Sequence, residues 1–177
     1  MEKNDARNLV IREMKNCTIV PSHLVYLNTT NKPVDITQID TFHYEFDVDR
    51  FPGQLQMTVA FFEDGYFDFL MYVHPVIVDR QHVVPVVRFI NFINSNFKPH
   101  NCSGRFYVDE ESLDIAFVAR QSYTTLQEHP ANCIKNCVSA PICFFQDMAD
   151  PLYMVSKGSI TYEQATLHME EIWGISK

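Results

Sequence analysis

Glycine is scarce in this chain, with five among 177 residues. So few glycines leave little material for flexible linkers. Nor do they build a phosphate-cradling loop: Gly65, Gly104, Gly158 and Gly174 stand alone, and none opens a helix after a strand at the spacing such a loop needs. Ser103-Gly104 lacks the preceding glycine of a nucleophile elbow. Basic charge is also short. Fourteen lysines and arginines face 22 acidic residues, for a net charge of −8. Phosphate backbones and anionic lipid surfaces repel such a chain, so neither nucleic acid nor a membrane is an expected partner. No apolar run reaches the roughly 18 residues of a membrane span. The longest, around Val83 to Phe97, is broken by Pro85, Arg88, Asn91, Asn94, Ser95 and Asn96. In MEKNDARNLVIREMKN charges interrupt every apolar pair, which is unlike a secretory signal. The expected location is the cytoplasm. The five cysteines are an odd number, which there argues for reduced thiols instead of a disulfide framework. Three Asn-x-Ser/Thr triplets, starting at Asn16, Asn28 and Asn101, are then chance matches.

What is present is a core. Hydrophobic residues make up 46% of the chain, enough for one domain spanning 1–177, with no repeat, low-complexity segment or composition shift to divide it. Residues 5–16 read as a helix capped by Asp5, with Ala6, Leu9, Val10 and Met14 on one face. Residues 17–42 read as loop or short extended pieces, from Pro21, Pro33 and the Asn28-Thr29-Thr30-Asn31 cluster. Strict alternation then begins. Tyr44, Phe46 and Val48 mark one strand; Leu55, Met57, Val59 and Phe61 a second; Phe67, Phe69, Met71 and Val73 a third. Pro52-Gly53 and Glu63-Asp64-Gly65 supply the turns. Over 80–97 the period changes to three and four. Val83, Val86, Val87, Ile90, Ile93 and Phe97 form one helical stripe, and Val84, Phe89 and Phe92 a second. A helix apolar on two sides is buried on two sides, in its own chain or against a partner. Val84, Phe89 and Phe92 are therefore candidate dimer contacts. A second hairpin, turning at Asp109 to Ser112, places Phe106, Val108, Leu113, Ile115, Phe117 and Ala119 inward. Thr125-Leu126-Gln127-Glu128 reads as a capping box opening a long helix that Pro141 kinks or splits, and Thr161 with Gln164 opens a last helix over 162–173. The order α-β-β-β-α-β-β-α-α implies an α+β fold: a mostly antiparallel sheet of about five strands with helices packed on it.

Few groups are arranged for chemistry. His129, Cys133 and Cys137 recur at four, so one helical face could offer them to a metal. The stronger reading makes both cysteines core residues, since they share the apolar stripe of Leu126 and Phe145 and zinc sites draw cysteine pairs from turns. His43, Glu45, Asp47 and Asp49 project from one strand face at steps of about 6.7 Å, the look of a solvated strand and too spread to surround one cation. Neither Asp47 with Asp49 nor Glu110 with Glu111 is placed in a pocket by anything in the sequence. A lone loop thiol such as Cys102 is an unpromising nucleophile. No catalytic residue and no cofactor is expected. The outward strand faces carry more weight. Phe62, Tyr66, Leu70, Tyr72, Tyr107 and Val118 lie beside Glu45, Asp47 and Asp68, an aromatic patch rimmed by acids that suits a peptide or protein. The competing reading is that segment 1–42 or the C-terminal helix covers this face.

The three-strand run, then VVPVVRFINFINSNF, CSGRFYVDEESLDIAFVARQ and a helix from TTLQEHPANCIKNCV, resembles the YbjN-like family of bacterial sensory transduction regulators, itself similar in fold to type III secretion chaperones. The resemblance covers roughly residues 42–157; residues 1–41 and the C-terminal helix from 158 fit it less well. It implies a non-catalytic, chaperone-like binding or regulatory protein, often dimeric, with no catalytic residues to carry over. A homodimer with a protein or peptide partner is the resulting expectation. The alternative is a small-ligand protein or enzyme with a pocket between sheet and helices, gathering His74, His82 or His100 with carboxylates.

Overall fold

The computed structural model describes residues 1–17, 23–25, 41–47, 51–96 and 102–174, with 23–25 and 41–43 described by backbone alone. Expectations about Val48, Asp49, Phe97, His100 and most of 17–42 fall outside the described residues.

The alternating segments are strands. Thr41–Asp47 (β2), Gln54–Phe61 (β3) and Tyr66–His74 (β4) form an antiparallel meander, and a short strand, His23–Val25 (β1), pairs outside β2. Leu55, Met57, Val59 and Phe61 are buried, as are Phe67, Phe69, Met71 and Val73 on β4, while their neighbours in sequence stay half-exposed. Gly65, at φ 84°, makes the β3–β4 turn that only a residue without a Cβ enters freely. Arg105–Val108 (β5) and Ile115–Ser122 (β6) form the second hairpin. Sheet order is β1-β2-β3-β4-β6-β5, so β6 lies beside β4 and β5 forms the edge. The α+β class expected from the sequence is what forms, with one strand more than the five that were read. That strand comes from the 17–42 segment; three residues are too few to display an alternation.

The helices lie on the inner face. Lys3–Lys15 (α1) buries Ala6, Val10 and Met14 together with Arg7. Val83–Ser95 (α2) follows a 3₁₀ turn at Arg80–His82, with Pro85 in its first turn, where the missing N–H costs nothing. Then come Tyr123–Glu128 (α3), Pro130–Ile134 (α4), a π turn at Lys135–Ser139, Ala140–Ser156 (α5) and Tyr162–Ile172 (α6). Helix α1 packs on α3 and α4, and α6 packs on α2 and α5. Phe144 and Phe145 of α5 meet Phe106 of the sheet at 5.9 and 6.3 Å between ring centroids. Trp173 stacks on Phe144 at 5.1 Å and donates its indole N–H to Asp147 at 3.3 Å, which docks the C-terminal helix on α5.

Four details differ from the sequence reading. Helix α1 begins at Lys3 with Glu2 in the cap position, so Asp5 lies in its first turn and does not cap it. The cap at the start of the helical run is Ser122, whose hydroxyl accepts from the Thr125 N–H at 3.0 Å; Thr125 is already inside the helix, because β6 ends at Ser122 and the helix starts at once. The expected long helix breaks at His129 (φ −138°, ψ 57°), immediately before Pro130. Where Pro141 was expected to kink or split the helix, a π turn precedes it. A proline ring crowds the carbonyl four residues back, here Cys137, and a locally wider winding accommodates that. By contrast, the box at Thr161 and Gln164 forms as read, with reciprocal bonds of 3.3 and 2.9 Å.

Helix α2 is buried largely by its own chain. Val86, Phe89, Ile90 and Ile93 are all buried, and α2 packs on β5, α5 and α6. At about 100° per residue, Phe89 borders the arc of Val86, Ile90 and Ile93, about 40° from Ile93, and Val84 lies on the opposite side. Phe89 is therefore 0% exposed and Val84 65%, with Phe92 half-buried: the expected second stripe is not one face. At the C-terminal end of α2, the Asn94 amide lies against the outer edge of β5. Its Nδ2 donates to the Phe106 carbonyl at 2.7 Å and its Oδ1 accepts from the Phe106 N–H at 3.1 Å, the pair of bonds a further strand would make.

Candidate functional site on the outer sheet face

Register assembles the outer face row by row. Glu45, Gln56, Tyr72, Ala116 and Tyr107 stand side by side across β2, β3, β4, β6 and β5. Thr58, Leu70 and Val118 form the next row, then Ala60, Asp68 and Arg120. Tyr66 lies opposite Ser122 beyond them. Inner-face residues of the same strands sit in the core, so these side chains point away from every described helix. All but the small Ala116 are half-exposed or exposed, Tyr107 to 41%. The C-terminal helix does not cover this face: α6 packs on α2 and α5.

The six aromatic and apolar residues singled out in the sequence fall into two groups. Phe62 and Tyr66 stack on each other at 4.9 Å, and Arg120 lies over the Tyr66 ring at 4.3 Å and 5.9 Å from Phe62. The Arg120 guanidinium also grips Asp68 through both carboxylate oxygens, at 2.7 and 2.8 Å. These hydrogen bonds hold its pKa above the usual arginine value. This corner is thus closed on itself, its cation already matched. Sequence reading missed Arg120 because Asp68 becomes its neighbour only through the β4–β6 pairing, 52 residues apart in sequence. The second group, Leu70, Tyr72 and Tyr107 with Val118, has no such cover among the described residues. Burial, then Asp114, then Glu45 raise the Tyr72 hydroxyl pKa; burial, then Asp109 and Asp114, raise that of Tyr107. Both phenols are neutral donors at physiological pH. Negative charge is concentrated at this end of the face.

Other candidates disperse. His129 is exposed at the helix break, whereas Cys133 and Cys137 are in the core. The break removes the continuous helix that would have aligned the three, and among the described residues no group of three or more His, Cys, Asp or Glu is placed to hold a metal. The Cys133–Cys137 hydrogen bond and burial raise the Cys137 thiol pKa. Burial, helped by Cys143, pushes Cys102 up to about 12, so it carries no thiolate at neutral pH and is a poor nucleophile. Asp47 accepts from Gln54 at 3.0 Å, and Glu110 and Glu111 sit exposed in the β5–β6 turn. His82 lies against Gly158 at one wall of a hollow of about 350 Å³ that also includes Arg88 and Glu163. Glu163 is held ionised by its own backbone N–H and by Thr161, and Arg88 stacks over Tyr162 at 4.5 Å. His74 is exposed at the end of β4 and does not line that hollow.

No family model matches the chain, and no curated protein matches it. Among solved structures it is similar to an uncharacterized protein from Methanothermobacter thermautotrophicus, with 11% identity over 86% of this chain and 98% of that chain, at a TM-score of 0.44.

Proposed function

We propose that this chain is a non-catalytic binding or regulatory module, chaperone-like in the sense that the YbjN-like resemblance implies, which receives a protein or peptide on the outer face of its sheet and works as a cytoplasmic homodimer. The observation that supports the reading is the Leu70, Tyr72, Tyr107 and Val118 group: an apolar and aromatic surface on a regular sheet, with every described helix on the other side. Tyrosine suits such a role because it offers a large rigid ring and a hydroxyl at little entropic cost. No helix among the described residues is long and apolar enough to cross a membrane.

Selection of extended peptides from a random display library on the immobilised protein tests the reading. Peptides that bind the wild type are expected to lose at least about tenfold in affinity on Leu70→Asp, which places an unpaired charge at the centre of the face. Circular dichroism confirms that this variant folds. Failure to select any peptide, or selected peptides that bind the folded variant unchanged, overturns it.

A further inference from the structure

Within the outer face, one row has a shape and charge of its own. Ala116 pairs with Tyr72 on one side and Tyr107 on the other, so two rings rise from positions roughly 10 Å apart with only a methyl group between them. Ala116 is only 4% exposed although it lies on the outer face, as the floor of a narrow recess would be. Acidic residues flank this row. Glu45 ends the same row beyond Gln56, which donates to it at 3.1 Å, and Asp114 immediately precedes β6. Asp109 lies just past β5, one residue beyond Val108. Asp114 stands two residues before Ala116, where its carbonyl accepts from the Asp109 N–H at 2.9 Å, and its charge raises the pKa of both tyrosine hydroxyls. No cation pairs with its carboxylate among the described residues. The basic residue on the adjoining row, Arg105, lines a separate hollow with Asn94 and Arg120.

We infer that Tyr72, Ala116 and Tyr107 form a slot for one cationic side chain, arginine or lysine, of a basic protein segment, with Asp114 as its counter-charge. This rests on the reading of the outer face as a docking surface and names what that surface selects. Ring faces attract a cation through their quadrupole. An alanine floor admits a flat guanidinium where a larger residue would fill the gap, and a carboxylate at the mouth accepts its N–H groups. The partner's charge follows from complementarity: the face belongs to a chain of net charge −8, and the Arg120 corner, where the cation is already supplied, has the composition that the slot lacks.

Titration of the full chain with N-acetyl-arginine methylamide, followed by NMR of the tyrosine rings and the Asp114 amide, is the direct test. Saturable shifts at Tyr72 and Tyr107 are expected, weak or absent with the norleucine analogue. They should be lost on Asp114→Asn and on Tyr107→Leu, both exposed or half-exposed positions that leave the core intact. Equal shifts with both analogues, or none with either, overturn the slot. Concentration-dependent shifts of the same resonances without any probe also overturn it, by assigning the recess to a second copy of the chain. Display-selected peptides separate this inference from the one beneath it. Exchanging arginine for norleucine in a bound peptide should weaken binding about fivefold at low salt, and less at high salt. Peptides that bind wherever Leu70 is intact but ignore that exchange sink the slot and leave the docking face standing.

Discussion

At Asp109 a single carboxylate organises the β5–β6 turn. Its Oδ1 accepts from the Ser112 N–H at 2.9 Å and the Glu111 N–H at 2.8 Å, and these bonds hold its pKa below the ordinary carboxylate value. A depressed folded-state pKa contributes stability above the unfolded-state value, and that contribution is lost as pH falls through the folded value. The Glu111 and Ser112 amide resonances are therefore expected to titrate with a midpoint below about 3.9, and to stop titrating in Asp109→Ala; a midpoint at or above that value contradicts the assignment. This turn was readable, because Asp and Ser bond to their own backbone and mark turns locally. Leu113 was not. It was assigned to the strand's inward set, and the structure places it at φ 64°, a left-handed conformation unusual for leucine, half-buried against the core. No local signal announces a residue whose conformation is set by its packing.

Among the elements, the edge strand β5 has the most specific protection. Asn94 occupies both outward backbone groups of Phe106, as a neighbouring strand would, and so blunts an edge that could otherwise pair with another chain. Asn94→Ala should cost about 1–3 kcal/mol in urea denaturation, the usual penalty for orphaning half-buried backbone groups, and should speed hydrogen exchange at the Phe106 amide. An unchanged exchange rate would mean that the amide is held by something other than Asn94. The sequence shows Asn94 only as a break in an apolar run; its partner lies 12 residues further on, past the end of the helix. The two caps make the same point from the other side. Thr161 and Gln164 were legible because a capping box is complete within four residues. At the other site Ser122 and Thr125 are both good caps, and only the end of β6 decides between them.

For the whole molecule, periodicity revealed which face of each strand is buried but not how the strands are ordered. Either strand of the second hairpin could have joined β4, and the choice of β6 is what brings Asp68 to Arg120 and Tyr72 to Ala116. The face could therefore be listed residue by residue from sequence, but its division into a closed corner and an open row could not. Oligomeric state belongs to this scale. If the proposed homodimer uses α2, its contact falls on Val84 and not Phe89. Val84→Asp should then convert a species of twice 20.6 kDa to one of 20.6 kDa in light scattering, with little change in stability. Phe89→Ala should cost about 3–5 kcal/mol whatever the assembly, since that ring is wholly inside one chain. The π turn at Lys135–Ser139 has a consequence at the same scale. It winds in one residue more than an α turn, which offsets everything beyond it by about 100°. On the near side, α4 answers to α1 and α3; on the far side, α5 answers to α2 and α6. The turn is a phase shifter: one nearly continuous rod meshes with two sets of neighbours that an unbroken helix would have to address at a single angle.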